Sequence, residues 1–519
     1  MSHLRVGADT ATRMLSLAVI LAVAACGGDA PLPTGPGAGG GSGGGGGQNP
    51  PPPAGQLVLE IEYSTFVGGS DFEEIREPVM LPGGRLLFGA RTKSFDAPIT
   101  GGAYQPSHGG GAGDSYLGVL SADGRHLEAA TFFGGSGMER PPYGIAVASN
   151  GDVIFASGTT SKNIPTSGNS YRRDLYTPVP DPGGGYVCRI SADLRALRWC
   201  TYTGGGWPRG GLVLDPQDNV VVVGKATGDN FSTTPGAFQT QRLGTDDGFV
   251  LKLTSDGSDA IFSTRIGGSS MDPDESVLGA RLDAAGNISI TGIATSTDFP
   301  TTPGAAQTVA GGAGSRDGFV ARLDPSGSSL IYSSFIGGSS GDLMEHSLVL
   351  LPDGSVVVAG VTLSADFPGS GSLHGRSDGF LTKVNPSGSA FAFSTYIGGS
   401  GTEQILSPVV DSKGNIYVAG MTSSTNLQTT GGALQSTYGG GLTDAVLFVF
   451  SPNGNLIYGT YLGGSGDDLI RGIAIGPGDA VYLVGKTGSD DFPTTPGAFQ
   501  ATRGGGDDGF VTKLVRSSN

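Results

Sequence analysis

From residue 57 onward the chain alternates short apolar runs with clusters of Gly, Pro, Asn and Asp, and it does so periodically. In the last complete copy, 471–475 is apolar and Gly476-Pro477-Gly478-Asp479 is a turn. Residues 480–486 (AVYLVGK) form a second apolar run, 487–508 is a long polar loop containing DFPTTPGAFQ, and 509–514 (GFVTKL) is a third run. In earlier copies a tight turn such as Asp324-Pro325-Ser326-Gly327 leads into a fourth run, Leu330–Ile336. Runs this short, rich in Val, Ile, Tyr and Phe and bounded by turn formers, predict β-strands. No stretch beyond the leader keeps a helical period. Each copy therefore reads as a four-stranded antiparallel meander, with strands a, b, c and d in chain order.

Strand b is apolar on both faces, as in Val220-Val221-Val222-Val223, Val356-Val357-Val358-Ala359 and Ile416-Tyr417-Val418-Ala419. A sheet wetted on one side would alternate. A sheet apolar on both sides stands between two others, as blades around an axis do. The Gly-Gly pairs that open the copies fall at Gly68, Gly134, Gly204, Gly267, Gly337, Gly398 and Gly463, a period of about 66 residues. The first strand d, 57–67, has no a, b or c before it, and the last strand c, 509–515, has no d after it. Pairing the two closes a ring and removes an exposed edge. The expected fold is an all-β, seven-bladed β-propeller of four-stranded antiparallel blades, closed by the N-terminal strand on the last blade.

The ordered combination of YST-x-hydrophobic-GGS, a Gly-Asn or Gly-Asp turn before strand b, DFPTTPGAFQ and DGFVxKL resembles the bacterial SBBP beta-propeller repeat. The resemblance covers 57–515. It implies this fold and export, and it implies no catalytic activity, so no active site is carried over with it.

Two segments precede the repeats. Residues 1–25 carry Arg5 and Arg13 and then an apolar run too short for a stable membrane span. The run ends Leu21-Ala22-Val23-Ala24-Ala25-Cys26-Gly27, which resembles a bacterial lipobox. That resemblance implies a lipoprotein signal peptide, a lipidated Cys26 and, with Gly27 rather than an aspartate following, the outer membrane. Residues 26–56 are rich in Gly and Pro with no apolar period and read as a tether that cannot form a core. The propeller occupies 57–519. The expected location is the cell envelope, lipid-anchored, on its periplasmic or its surface side.

The formal net charge is −16. Such acidity argues against nucleic acid as a partner and leaves cations and basic partners open, with solubility as the plainer reading.

Strand order puts the d–a and b–c loops on one face of the ring and the a–b and c–d turns on the other. The loops are longer and more variable, so a protein or glycan partner is expected on the loop face or at the channel mouth. The d–a loops are acidic: Asp71, Glu73 and Glu74; Glu139; Asp272, Asp274 and Glu275; Asp342 and Glu345; Glu403; Asp467 and Asp468. Hard oxygen donors suit calcium, although the spacing matches no EF-hand, and loop capping with solubility is the alternative. An aspartate also opens strand c at Asp114, Asp247, Asp317, Asp378, Asp444 and Asp508. A residue repeated so often reads as a turn or cap.

Departures from the repeat are more telling. Blade three has Gly206-Trp207-Pro208-Arg209 where the acidic loop belongs. Blade two replaces the PTTPGAFQ loop with 165–182, containing Tyr171, Arg172, Arg173 and Tyr176, and has Gly183-Gly184-Gly185 in place of the strand c aspartate. Trp and Arg are typical of interaction hot spots, which makes these residues the candidate contact surface. Cys188 and Cys200 lie opposite each other about a turn centred on Leu194, so they read as a cross-strand disulfide in an oxidising compartment, with two buried thiols as the alternative.

Enzyme signatures are thin. The five histidines have no metal-ligand spacing, no GxSxG elbow occurs, and Gly485-Lys486-Thr487 belongs to a strand rather than a phosphate-binding loop. The first functional reading is a binding or scaffolding module at the envelope. The others are a glycan lyase or hydrolase using carboxylates at the channel mouth, and a structural surface spacer.

Overall fold

The computed structural model describes residues 56–175, 183–312, 314–369 and 371–517. The leader, Cys26, the tether up to residue 55 and Tyr176 lie outside the described residues.

Among the described residues, twenty-eight strands make seven four-stranded antiparallel sheets. Six sheets are consecutive meanders. The seventh is ordered Leu59–Val67, Asp508–Arg516, Val481–Thr487, Asp468–Ile475, so the first strand of the ring is the outer strand d of the last blade. Its register runs from Leu59 opposite Arg516 to Val67 opposite Gly509. Ring closure thus follows the phase of the repeat. The core lies between blades, as both-sided strands require. Val223 and Val250 of blade three pack with Ile290 and Phe319 of blade four, all buried. Strand a of each blade lies against strand a of the next, around the axis.

Two features differ from the sequence expectation. Strand a is longer than its apolar run: in blade seven it is Asp468–Ile475 and begins on a buried acidic residue. The b–c loop, moreover, does not stay on the loop face. In blade three Thr234 N–H donates to Ser263 C=O and Arg265 N–H to Gln239 C=O, each at 3.0 Å. Blade seven repeats this with Thr495 to Ser64 and Phe66 to Gln500. The PTTPGAFQ segment therefore runs along the outer edge of strand d and pairs an edge that would otherwise be open.

The remaining repeat motifs are hydrogen-bonding devices. The serine of Gly-Gly-Ser gives its N–H and Oγ–H to the aspartate of DFP, as Ser339 does to Asp366 at 2.8 Å for both bonds. The glutamine of GAFQ accepts from the Gly-Gly pair and donates to the strand c aspartate, as Gln500 does with Gly68 and Asp508 at 3.0 Å.

Candidate functional site

The repeated acids come first, because the structure moves them out of the loops. In six of the seven blade interfaces the strand c aspartate of one blade meets the first acid of strand a of the next: Asp508 with Glu73, Asp114 with Glu139, Asp247 with Glu275, Asp317 with Asp342, Asp378 with Glu403, Asp444 with Asp468. Every one of these residues is buried. The strand a acid accepts from its own blade: Glu403 takes the Gly399 N–H at 3.1 Å and the Thr422 hydroxyl at 2.6 Å. Both carboxyls close on the first glycine of Gly-Gly. A Cβ on Gly337 would stand 2.6 Å from Asp317 Oδ1 and 3.0 Å from Asp342 Oδ2. Oδ1 of Asp114, Asp247, Asp317, Asp444 and Asp508 has no hydrogen-bond partner, as expected where one carboxyl faces another.

Two buried carboxylates side by side cannot both stay charged. Burial, with the neighbouring acid adding to it, pushes Asp114 and Asp317 up to about 7, Glu275 likewise beside Asp247, and Asp444 to about 6 beside Asp468. Between the unfolded carboxylate value of about 4 and those folded values, the native ring holds protons that the unfolded chain has released. Its stability from these groups is full below about pH 4 and falls as pH rises to about 7. The melting temperature is therefore expected to be higher at pH 5 than at pH 8, and Asp317→Asn is expected to flatten that slope in differential scanning calorimetry. A melting temperature that rises from pH 5 to pH 8 would contradict the shared-proton account.

The seventh interface, between blades two and three, lacks both carboxyls together. The strand c position is Gly184, opposite Thr159, and the strand a position is Gly206, opposite Ala226. The two departures seen in the sequence are thus the two halves of one lost pair. Trp207 and Pro208 fill that interface. The Trp207 indole lies across Gly158 and Pro208 against Gly185, neither of which leaves room for a Cβ.

One rung of the a–b ladder at the loop-face end sets the chemistry of the channel mouth. It reads Leu469–Lys486 in blade seven, Glu74–Arg91 in blade one and Trp207–Lys225 in blade three. In blade two Arg140 donates its N–H to Gly158. In blades four, five and six the rung is Ser276–Ile293, Leu343–Val361 and Gln404–Met421. The mouth is therefore basic on the side of blades seven to three and neutral or apolar on the other. On the basic side Arg76 lies over the Tyr143 ring at 5.5 Å and Arg140 over the Trp207 ring at 5.4 Å. Burial raises Glu74, but Arg471 and Arg76 beside it prevail and hold it at about 2. Arg91 is pushed below its ordinary value by burial and by the Arg140 guanidinium. Among the described residues neither Arg91 nor Arg140 has a carboxylate at ion-pair distance, and the Nε of each, with Trp207 Nε1, is enclosed without a partner.

Deeper in the channel, Glu77, Gly211, Arg281 and Ser407 line a waist with a cavity of about 90 Å3. Glu77 and Ser407 hold positive φ, +50° and +41°, at bulges where strand a turns inward, a conformation that costs about 1 kcal/mol or more. Burial raises Glu77 to about 7 despite Arg281 and Arg76.

The contact surface expected from the sequence divides. Trp207 and Arg209 are on strand a at the channel, half-buried, with Arg209 3.7 Å from Asp274. Tyr171 and Arg172 lie on the outer edge of blade two, where Arg172 N–H bonds Thr201 and Tyr171 N–H bonds Gly257. Arg173 belongs to the same outer segment. The reason is the edge-covering course of the b–c loop. The calcium candidates also scatter. Glu73, Glu275, Asp342 and Asp468 are in the carboxyl pairs, and Glu74, Asp272 and Asp274 are ion-paired to arginines. Asp71 is exposed, Asp467 accepts the Leu442 N–H at 2.6 Å, and Glu345 stands in strand a Asp342–Leu350. No three His, Cys, Asp or Glu gather as a metal set among the described residues. Cys188 and Cys200 face each other in register, their sulfurs joined. Sequence reading passed over Arg91, Arg140, Glu77 and Arg281. Aligning the copies at strand b would have exposed the first, because Lys486 and Arg91 stand where Val361 and Met421 do.

Residues 392–428 match the family model described as the SBBP beta-propeller repeat. The match runs from strand d of blade five through strand b of blade six. No curated protein matches the chain. Among solved structures, U3-55K is 8% identical, with 89% of this chain and 99% of that one covered and a TM-score of 0.45. A protein of unknown function from Dyadobacter fermentans is 12% identical over 78% of this chain and 97% of its own, with a TM-score of 0.39. A europium-containing methanol dehydrogenase is 10% identical over 88% and 93%, with a TM-score of 0.40.

Proposed function

We propose that the chain is a binding module held at the cell envelope through lipid on Cys26, and that it engages its ligand at the basic side of the loop-face channel mouth. A β-propeller supports a binding or scaffolding role in general. The polar side chains of the repeat motifs are engaged within the ring, so recognition falls to the departures, of which Trp207 and Arg209 stand at this mouth. The observation that carries the reading is the pair Arg91 and Arg140, two cations with no carboxylate at ion-pair distance among the described residues, in a protein of net charge −16.

Cys26→Ser is expected to move the protein from the membrane fraction to the soluble fraction. Rebinding of that soluble protein to isolated envelopes is expected to drop about tenfold with Trp207→Ala or Arg209→Ala. Rebinding unchanged in both would leave the spacer reading. One observation favours the enzyme reading instead: Glu77, near 7 beside Arg281, is set to exchange a proton close to neutrality. It predicts glycan cleavage that Glu77→Gln abolishes while envelope rebinding persists.

A further inference from the structure

Strand d of blade five, Phe391–Ile397, is the outer strand of its sheet and lacks the cover that the other six have. We propose that its edge is a docking site for an extended peptide segment of another protein, of the pattern Gly-Ala-aromatic-Gln, which lies along strand d as the b–c loop does in the other blades. The site is on the outside of the ring and does not rest on the reading of the channel mouth.

The sequence removes the cover. The b–c connection of blade five is 363–377, against 423–443 in blade six and 488–507 in blade seven. It runs from Asp366-Phe367-Pro368 to Asp378 with no Thr-Thr-Pro-Gly-Ala-Phe-Gln between them. Gly369 and Gly371 still lie against Ser394 and the Tyr396 ring. At the next position of strand d, Thr65, Thr131, Thr201, Thr264, Ser334 and Thr460 are buried in the other blades, whereas Thr395 is half-buried.

Blade four shows what such a seat holds. Ala306 N–H donates to the Gly388 C=O of the next blade and Gln307 N–H to Ser334 Oγ, each at 2.9 Å. Phe335 N–H donates to Gln307 C=O at 3.0 Å and Gly337 N–H to Gln307 Oε1 at 3.2 Å. The matching groups in blade five are Gly454 C=O, Thr395 Oγ, Tyr396 N–H and Gly398 N–H. Among the described residues the Gly454 carbonyl and the Tyr396 and Gly398 amides have no hydrogen-bond partner, and Thr395 Oγ only donates, to Tyr396 C=O at 3.3 Å. All four residues line one groove of about 800 Å3, with Phe448, Phe450 and Leu456 as its apolar wall.

The chemistry of the partner follows from these groups. Three of the four bonds go to main chain, so an extended backbone is what the edge reads, as in β-strand addition. The fourth, from Gly398, calls for a side-chain carbonyl at the Gln position. His374 already holds Asp378 at 2.9 Å, the carboxylate that the Gln amide takes in blade seven. In blade seven the residue before that Gln, Phe499, packs on the cluster around Tyr63. Phe393 is the counterpart of Tyr63 and is half-buried, so an aromatic side chain has the same seat here. The copies of the segment in the ring are engaged on their own strands d, so the ring of a folded second copy has none to offer.

The test is calorimetric titration of the full-length protein with acetyl-Thr-Thr-Pro-Gly-Ala-Phe-Gln-amide, the sequence of 494–500. One peptide is expected to bind per chain. The N-methyl-Phe peptide and the peptide with Ala for Gln are each expected to bind about tenfold more weakly, the size of one lost hydrogen bond, and a scrambled peptide not at all. Thr395→Val is expected to weaken the peptide about fivefold by the same reasoning, and Thr65→Val, on a covered edge, to leave it unchanged. Replacing residues 368–373 by the sequence of 493–503 covers the edge from within, and is expected to abolish peptide binding while raising the melting temperature. Hydrogen–deuterium exchange gives a second readout: 394–399 is expected to exchange faster than 64–69, and to slow when the peptide is added. No binding, equal binding of the N-methyl-Phe peptide, binding that persists in the loop replacement, or exchange at 394–399 as slow as at 64–69 would each overturn the proposal. Dimerisation of the full-length protein that the loop replacement abolishes, without peptide binding, would also overturn it and give the edge to a second copy.

Discussion

A protein lacking residues 57–67 is expected to lose its cooperative melting transition and to self-associate. The deletion removes Leu59, Tyr63, Phe66 and Val67, all nearly inaccessible to solvent. Burial of one such side chain is worth about 1.5–3 kcal/mol. Four of them approach the whole stability of an ordinary domain, about 5–15 kcal/mol. The loss does not stop at packing. Strand c of blade seven, Asp508–Arg516, would be left with a free edge, and Gln500 and Thr495 of the edge-covering loop would lose Thr65 and Ser64 as partners. Size-exclusion chromatography with light scattering and differential scanning calorimetry read both effects. A monomer melting like the intact protein would show that the ring does not depend on its closure.

The second large effect is expected from a single methyl group. Gly337→Ala places a carbon 2.6 Å from Asp317 Oδ1 and 3.0 Å from Asp342 Oδ2, and neither carboxyl can swing away without giving up a buried hydrogen bond. Overpacking of this kind costs about 1–3 kcal/mol and a lost buried hydrogen bond about 1–3 more, so about 3 kcal/mol overall is expected in urea unfolding. Gly304→Ala is the matched control. Its φ is +81° and nothing lies within 4 Å of where its Cβ would stand, so it carries backbone strain without the clash and should cost about 1 kcal/mol. Equal losses in the two variants would mean that the Gly-Gly motif exists for backbone freedom alone.

The sequence made the architecture legible because period, strand composition and phase all report on it directly. Val220 to Val223 cannot belong to a one-sided sheet, and an orphan strand d at one end of the repeats with a missing d at the other leaves little choice of closure. The chemistry was harder to read because it depends on which neighbours meet. Glu73 and Asp508 are 435 positions apart, and their buried contact turns an acidic loop into a structural joint. Tyr171 and Trp207 look adjacent in sequence logic, yet one lies on the outer edge and the other at the axis, because the b–c loop is used to cover strand d. Arg91 and Arg140 were passed over since neither interrupts an obvious motif. Their significance appears when the seven copies are compared rung by rung.

The closing strand also fixes an orientation. Leu59 stands opposite Arg516, beside Ser517, whose N–H bonds Val58. That is the end of the strand on the side of the a–b and c–d turns, and Val67 at the other end leads into the first d–a loop. Gln56, the first described residue, therefore stands on the turn side of the ring, at the opposite end of the strand from the Gly-Gly pair and the first d–a loop.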